Sequence, residues 1–245
     1  MQNQTSLGMN RTGAQMSPLD ASKMEDFAES HSPELEDEMM AHEGIASLRA
    51  DYGHEAEAVG TVPIPGTLTG AVTTGMAKLT GKKPEVLVDK LGERLAFERT
   101  GVRLYEALMD KLASSDGDLK LPFSMDDLQH HHDEELEHME MCVSALESIG
   151  ADPSAQTPCA DTVAVASGGI MQVLTDPRTT MAQCLNAMLT AELTDTASWE
   201  LLIELTRESG QDDLAPQFEQ ALRHEKEHTQ RVRKWLSKMV LDEAA

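Results

Sequence analysis

Residues 124–149 read SMDDLQHHHDEELEHMEMCVSALESI. Ser124 followed by Asp126 and Asp127 suits a helix N-terminus, and Gly150 closes the run. Leu128, Cys142 and Leu146 fall on one helical face, and Glu135 and His138 share that register. A carboxylate placed in an apolar stripe is costly to bury unless something neutralises it. The i, i+3 spacing of Glu135 and His138 turns both side chains to the same side of the helix.

A second copy of this arrangement lies near the end of the chain. Over 212–241 the stripe is Phe218, Leu222, Val232 and Leu236, and Glu225 and His228 repeat the i, i+3 pair on the same face. The two pairs read ELEH and EKEH. Each is preceded by another helical pattern with a glutamate in its apolar stripe. Over 85–114 the stripe is Leu91, Leu95, Val102, Tyr105 and Leu108, with Glu98 inside it. Over 178–208 it is Leu185, Met188, Trp199, Leu202 and Leu205, with Glu192 and Asp195 inside it, and Pro177 is placed at the first turn. Glu98 precedes Glu135 by 37 residues and Glu192 precedes Glu225 by 33. Tyr105-Glu106 follows Glu98 at the distance at which Trp199-Glu200 follows Glu192. The sequence therefore reads as a repeated helix pair, each half supplying one Glu and one Glu-x-x-His. Four buried carboxylates and two imidazoles cannot neutralise one another at neutral pH. Two divalent cations would supply the missing charge.

This pattern resembles the ferritin-like di-iron carboxylate superfamily, which includes bacterioferritins and rubrerythrins, and points to a bacterial ferritin-like domain protein. The resemblance covers about 85–242. It implies an all-α, ferritin-like four-helix bundle over 85–243, running up-down-down-up. A connection of 25 to 30 residues, ADPSAQTPCADTVAVASGGIMQVLTDPRTT, would be the long crossover between helices two and three. It implies that Glu98 and Glu192 are the single carboxylates, that Glu135 and Glu225 bridge or chelate both metals, and that His138 and His228 bind one metal each. The cofactor expected is two iron ions, with manganese or a mixed iron/manganese pair as the alternative, since oxygen and imidazole donors suit both. By the same resemblance Asp195 is either an additional ligand or a group behind the ligands. Tyr105 either hydrogen-bonds a ligand, donates an electron or is a core aromatic with a satisfied hydroxyl. No catalytic residue beyond the ligands is expected.

The function implied is that of a dinuclear metal protein reacting with oxygen or hydrogen peroxide, a ferroxidase- or peroxidase-like oxidoreductase whose substrates are Fe(II) and the oxidant. Iron storage or sequestration is the alternative. No fifth helical pattern follows the fourth, and a long segment precedes the bundle, which argues against a standard 24-subunit shell and leaves a smaller homo-oligomer open. A further alternative is a metal-stabilised interaction protein acting through its N-terminal arm. Absence of CxxC motifs removes a rubredoxin-type module, so the electron donor is unknown.

The rest of the chain sets limits. Lys and Arg total 20 and Asp and Glu 43, a net charge of −23 over 245 residues. That field disfavours nucleic acid and anionic membrane surfaces and favours cations. No apolar run is long enough to span a membrane, and the first 20 residues lack a signal-peptide core, so a cytoplasmic location is expected. Three separated cysteines, Cys142, Cys159 and Cys184, form no disulfide framework. Residues 1–84 read as an acidic, partly disordered extension. Within it 1–33 are disordered or loosely attached, 34–52 form one helix with Met39, Met40, Ile45 and Leu48 on one side, and 53–84 are an extended arm. At least two of His130, His131 and His132 must face water, so the run reads as surface histidines rather than a second metal site; Glu134 reads as part of a solvated acidic face, and His224 as exposed or as a group behind the ligands.

Overall fold

The computed structural model describes residues 18–31, 35–63, 83–115 and 120–245. Every regular element among them is helical. These residues fall into two compact units, one ending at Ala58 and one running from Val59 onward.

The first unit holds α1 (Pro18–His31) and α2 (Leu35–Glu55). The sequence predicts one helix here; the structure has two. In α1, Leu19, Met24 and Phe27 are all exposed, so no buried stripe announces the helix. Ile45 and Leu48 of α2 are exposed as well, while the side chains of Met39 and Met40 lie outside the described residues. Residues 56–63 are non-helical; the rest of the expected arm, 64–82, lies outside the described residues.

The second unit contains α3 (Pro84–Ala113), α4 (Met125–Ser148), α5 (Pro158–Thr175), α6 (Met181–Glu208) and α7 (Ala215–Ala244), with a 3-10 turn at Asp212–Leu214 before α7. Local chemistry fixes the boundaries. The Ser124 hydroxyl accepts from the Asp127 amide while the Asp127 carboxylate accepts from the Ser124 amide, a reciprocal cap that starts α4. Thr180 and Gln183 do the same for α6. That cap corrects the expected start after Pro177: Asp176 Oδ1 accepts from the Arg178 amide at 2.9 Å, so 176–178 is a turn. Gly150 and Gly210 follow α4 and α6 with φ of 79° and 75°, the left-handed region that lets the chain leave a helix.

The long connection between α4 and α6 contains a full helix, α5. Thr157 caps it and Pro158 occupies its first turn. Its far end is held by Lys111 of α3, whose buried ammonium donates to Leu174 O (3.1 Å), Asp176 O (2.8 Å) and Thr179 Oγ1 (2.6 Å). These bonds satisfy carbonyls that the end of a helix leaves open.

α3 packs on α4, α6 on α7, α3 on α6, and α4 on α7, with α5 lying against α3 and α6. The apolar interior is split in two. One cluster gathers Leu104, Leu108, Leu128, Leu185, Met188, Val232 and Trp235. The other gathers Leu91, Leu95, Cys142, Leu146, Trp199, Leu202 and Phe218. Each of α3, α4, α6 and α7 passes from one cluster to the other with its glutamates and histidines midway. α3 and α7 make this passage in one direction, α4 and α6 in the opposite one. A charged layer is thereby enclosed between two apolar layers. Val102, Leu205, Leu222 and Leu236 are half-buried, Leu205 and Leu222 packing against the second cluster and Leu236 against the first.

Candidate metal centre

The six residues singled out by spacing meet in that layer. Glu98 comes from α3, Glu135 and His138 from α4, Glu192 from α6, and Glu225 and His228 from α7. None is more than 2% exposed. They form two groups of four. In Glu98, Glu135, His138 and Glu225, one donor atom from each lies within 4.8 Å of all the others; the same holds for Glu135, Glu192, Glu225 and His228. Glu135 and Glu225 belong to both.

The imidazoles are oriented from outside. His228 Nε2 is 2.7 Å from Glu134 Oε2. A proton shared there leaves the Nδ1 lone pair facing inward, where Glu135 and Glu225 oxygens lie at 3.6 Å and Glu192 Oε2 at 3.7 Å. His138 Nε2 lies 3.2 Å from His224 Nδ1, and its own Nδ1 is 2.8 Å from Glu225 Oε1. Glu134 and His224 are therefore half-buried partners of the site; this corrects the reading of Glu134 as solvated and, of the two readings of His224, favours the group behind the ligands.

Room for Glu135 comes from Gly101 on α3. A Cβ at that position would stand 2.8 Å from Glu135 Cδ and closer still to Oε2. Only a residue without a side chain admits the carboxylate at this spot.

The layer fits cations. Glu98 Oε2, Glu135 Oε2, Glu192 Oε2, Glu225 Oε2 and His228 Nδ1 are buried and have no hydrogen-bond partner. Native interiors seldom leave so many acceptors open together. Without metal, protons carry the compensating charge. Burial, then the charge of Glu225, pushes Glu135 well above the usual carboxylate range. Burial lifts Glu192 to about 7 against the pull of His228. Burial opposes the charged form of Glu225 also, but His138 and His228 hold it far below its ordinary value. Burial works against His138, yet its contacts with Glu225 and Glu98 lift it to about 10. His228 is likewise raised, its burial outweighed by Glu134, Glu135 and Glu225.

Tyr105 is fully buried beside the layer. Its hydroxyl donates to Glu192 Oε1 and lies 2.9 Å from His131 Nδ1. His131 is 0% exposed, stacked between His228 and Trp235, with burial pushing its pKa down to about 2. This corrects its reading as a surface residue. A run of three histidines hides which one turns inward; the clue is that His131 falls four residues before Glu135, hence on the buried face. Asp195 is buried but belongs to neither group of four. It faces Arg94, which is 2% exposed. Spacing gave no sign of Arg94, because an Arg-to-Glu pair at i, i+4 on a helix is usually a solvated one. Cys142 is buried, and burial followed by the charge of Glu98 raises its thiol well above normal.

Helices that enclose paired carboxylates and imidazoles, sharing two glutamates between two groups of donors, define a helical protein with a potential metal site. Residues 125–241 match the family model of the ferritin-like domain. The match is consistent with a member of the ferritin-like superfamily. The match runs from the first residue of α4 into α7, and α3 with Glu98 lies ahead of it. No curated protein and no solved structure matches the chain.

Proposed function

We propose that this protein binds two iron ions and reacts with oxygen or hydrogen peroxide as a ferroxidase- or peroxidase-like oxidoreductase of the cytosol. In this reading residues 85–243 are an up-down-down-up ferritin-like four-helix bundle whose crossover holds α5, and residues 1–84 are an acidic extension. Glu98 and His138 serve one metal, Glu192 and His228 the other, and Glu135 with Glu225 serves both. The observation that carries it is the sharing of those two glutamates between two groups of four donors. Bound ferrous iron would supply electrons for reducing the oxidant. The chain's own contribution is to hold anionic oxygens that can change their mode of binding, to fix both imidazoles from behind, and to exclude water with the apolar layers on either side. Tyr105 stands where its hydroxyl can steady Glu192 or give up an electron. Manganese fits the same donors.

The test is to load the protein with Fe(II) anaerobically and mix it separately with oxygen and with hydrogen peroxide while absorbance is followed. Fast oxidation of two irons per chain is expected, and the faster oxidant separates ferroxidase from peroxidase. Bound iron inert to both oxidants would remove the oxidoreductase reading. Storage, or an interaction role for the arm, would then take its place, the latter favoured by the exposed stripe Ile45, Leu48 and Tyr52 on α2.

A further inference from the structure

Among the described residues five carboxylates are buried, and four of them make up the two donor groups. The fifth, Asp195, sits one helical turn beyond Glu192 on α6 and is 2% exposed. Chemically it is as good a ligand as its neighbours. What sets it apart is Arg94, which reaches across from α3. Arg94 Nη1 lies 3.1 Å from Asp195 Oδ1 and donates to the Asp195 carbonyl at 3.4 Å. Its Nε lies 2.7 Å from Glu98 Oε1. The guanidinium is packed against two rings, with Cζ 4.6 Å from the centre of Phe97 and 5.6 Å from that of Trp199. A planar fork held this way presents its donors in fixed directions, which a flexible ammonium would not.

We propose that Arg94 is a positioning residue that sorts two carboxylates: it withholds Asp195 from the metals and holds Glu98 by one oxygen, leaving the other free toward them. Charge agrees with this division. Two divalent cations cancel Glu98, Glu135, Glu192 and Glu225, and Arg94 cancels Asp195, so the buried layer is neutral with both imidazoles uncharged. An Asp195 that ligated would leave the buried Arg94 with Glu98 alone and fill a coordination position that a small oxidant needs. The inference rests on the metal-binding reading of the site.

Cobalt(II) is a suitable probe, because its visible bands weaken as its coordination number rises. Wild type, Asp195→Asn, Arg94→Met and the double variant would each be titrated with Co(II). Wild type and Asp195→Asn should bind two equivalents with superimposable spectra. Arg94→Met should show weaker, shifted bands as the released Asp195 joins the site, and the double variant should show a smaller change, since only the second Glu98 oxygen is then freed. A changed spectrum or lower stoichiometry in Asp195→Asn would make Asp195 a ligand already and overturn the proposal. So would an Arg94→Met spectrum equal to wild type. Should Arg94→Met fail to fold, the Asp195→Asn spectrum decides alone. A wild type that takes up no Co(II) would instead sink the metal reading, and this proposal with it.

Discussion

Glu135 and Gly101 show how one ligand depends on a residue that touches no metal. The glutamate reaches its place only because α3 has no Cβ opposite it. Gly101→Ala is therefore expected to keep the fold, since the flexible end of Glu135 can swing away, but to lose metal affinity. The loss should be at least the roughly 10- to 100-fold that removal of an outer partner costs. Metal titration of the variant checks this, with thermal unfolding of the metal-free form as the control. At this scale the six candidate ligands were legible because a charged residue in an apolar register is an anomaly that spacing exposes. Gly101, Arg94 and His131 were not. A glycine inside a helix has no periodicity, Arg94 mimics a solvated ion pair with Glu98, and His131 is masked by its two histidine neighbours.

Among the elements, α5 is the instructive case. Its sequence PCADTVAVASGGIMQVLT carries Gly168 and Gly169 among the β-branched residues Thr162, Val163, Val165, Ile170 and Val173, so helical propensity is weak. Only Thr157-Pro158 marks its start. The helix is secured by tertiary contacts, Lys111 above all, and a lysine at the end of a different helix gives no local signal. Lys111→Met should remove the ammonium that the Leu174 carbonyl accepts from, leave the Asp176 carbonyl to Thr179 alone, and cost about 1–3 kcal/mol, measurable by urea unfolding. The long helices α3, α4, α6 and α7 were readable because each has a repeating buried stripe, and α4 and α6 carry reciprocal caps as well. α1 was missed for the opposite reason, since its described side chains are all exposed.

For the whole molecule, the buried layer ties stability to pH and metal together. Glu192, lifted to about 7, and Glu135, lifted well above the usual carboxylate range, bind protons in the folded state more tightly than in the unfolded chain. Their contribution is present below the ordinary carboxylate range and is lost as pH rises through the folded values. His138, lifted to about 10, contributes fully below its ordinary value and loses that contribution as pH rises toward 10. Glu225 is depressed, so its contribution is already complete above its ordinary value and is constant here. The metal-free protein should therefore lose stability steadily from about pH 5 to about pH 9. Metals replace these protons, so the gap in Tm between loaded and metal-free protein should widen over the same range. Thermal unfolding followed by circular dichroism at both ends of the range is the check. A net charge of −23 would also draw cations toward the bundle, an effect that added salt should weaken.

The central claim is that Glu135 and Glu225 each serve two metals. Equilibrium dialysis against Fe(II) without oxygen, followed by metal analysis, tests it on wild type, Glu135→Ala and Glu225→Ala. Two irons per chain are expected in wild type, with a fall toward one or none in each variant. Two tightly held irons in both variants would contradict it.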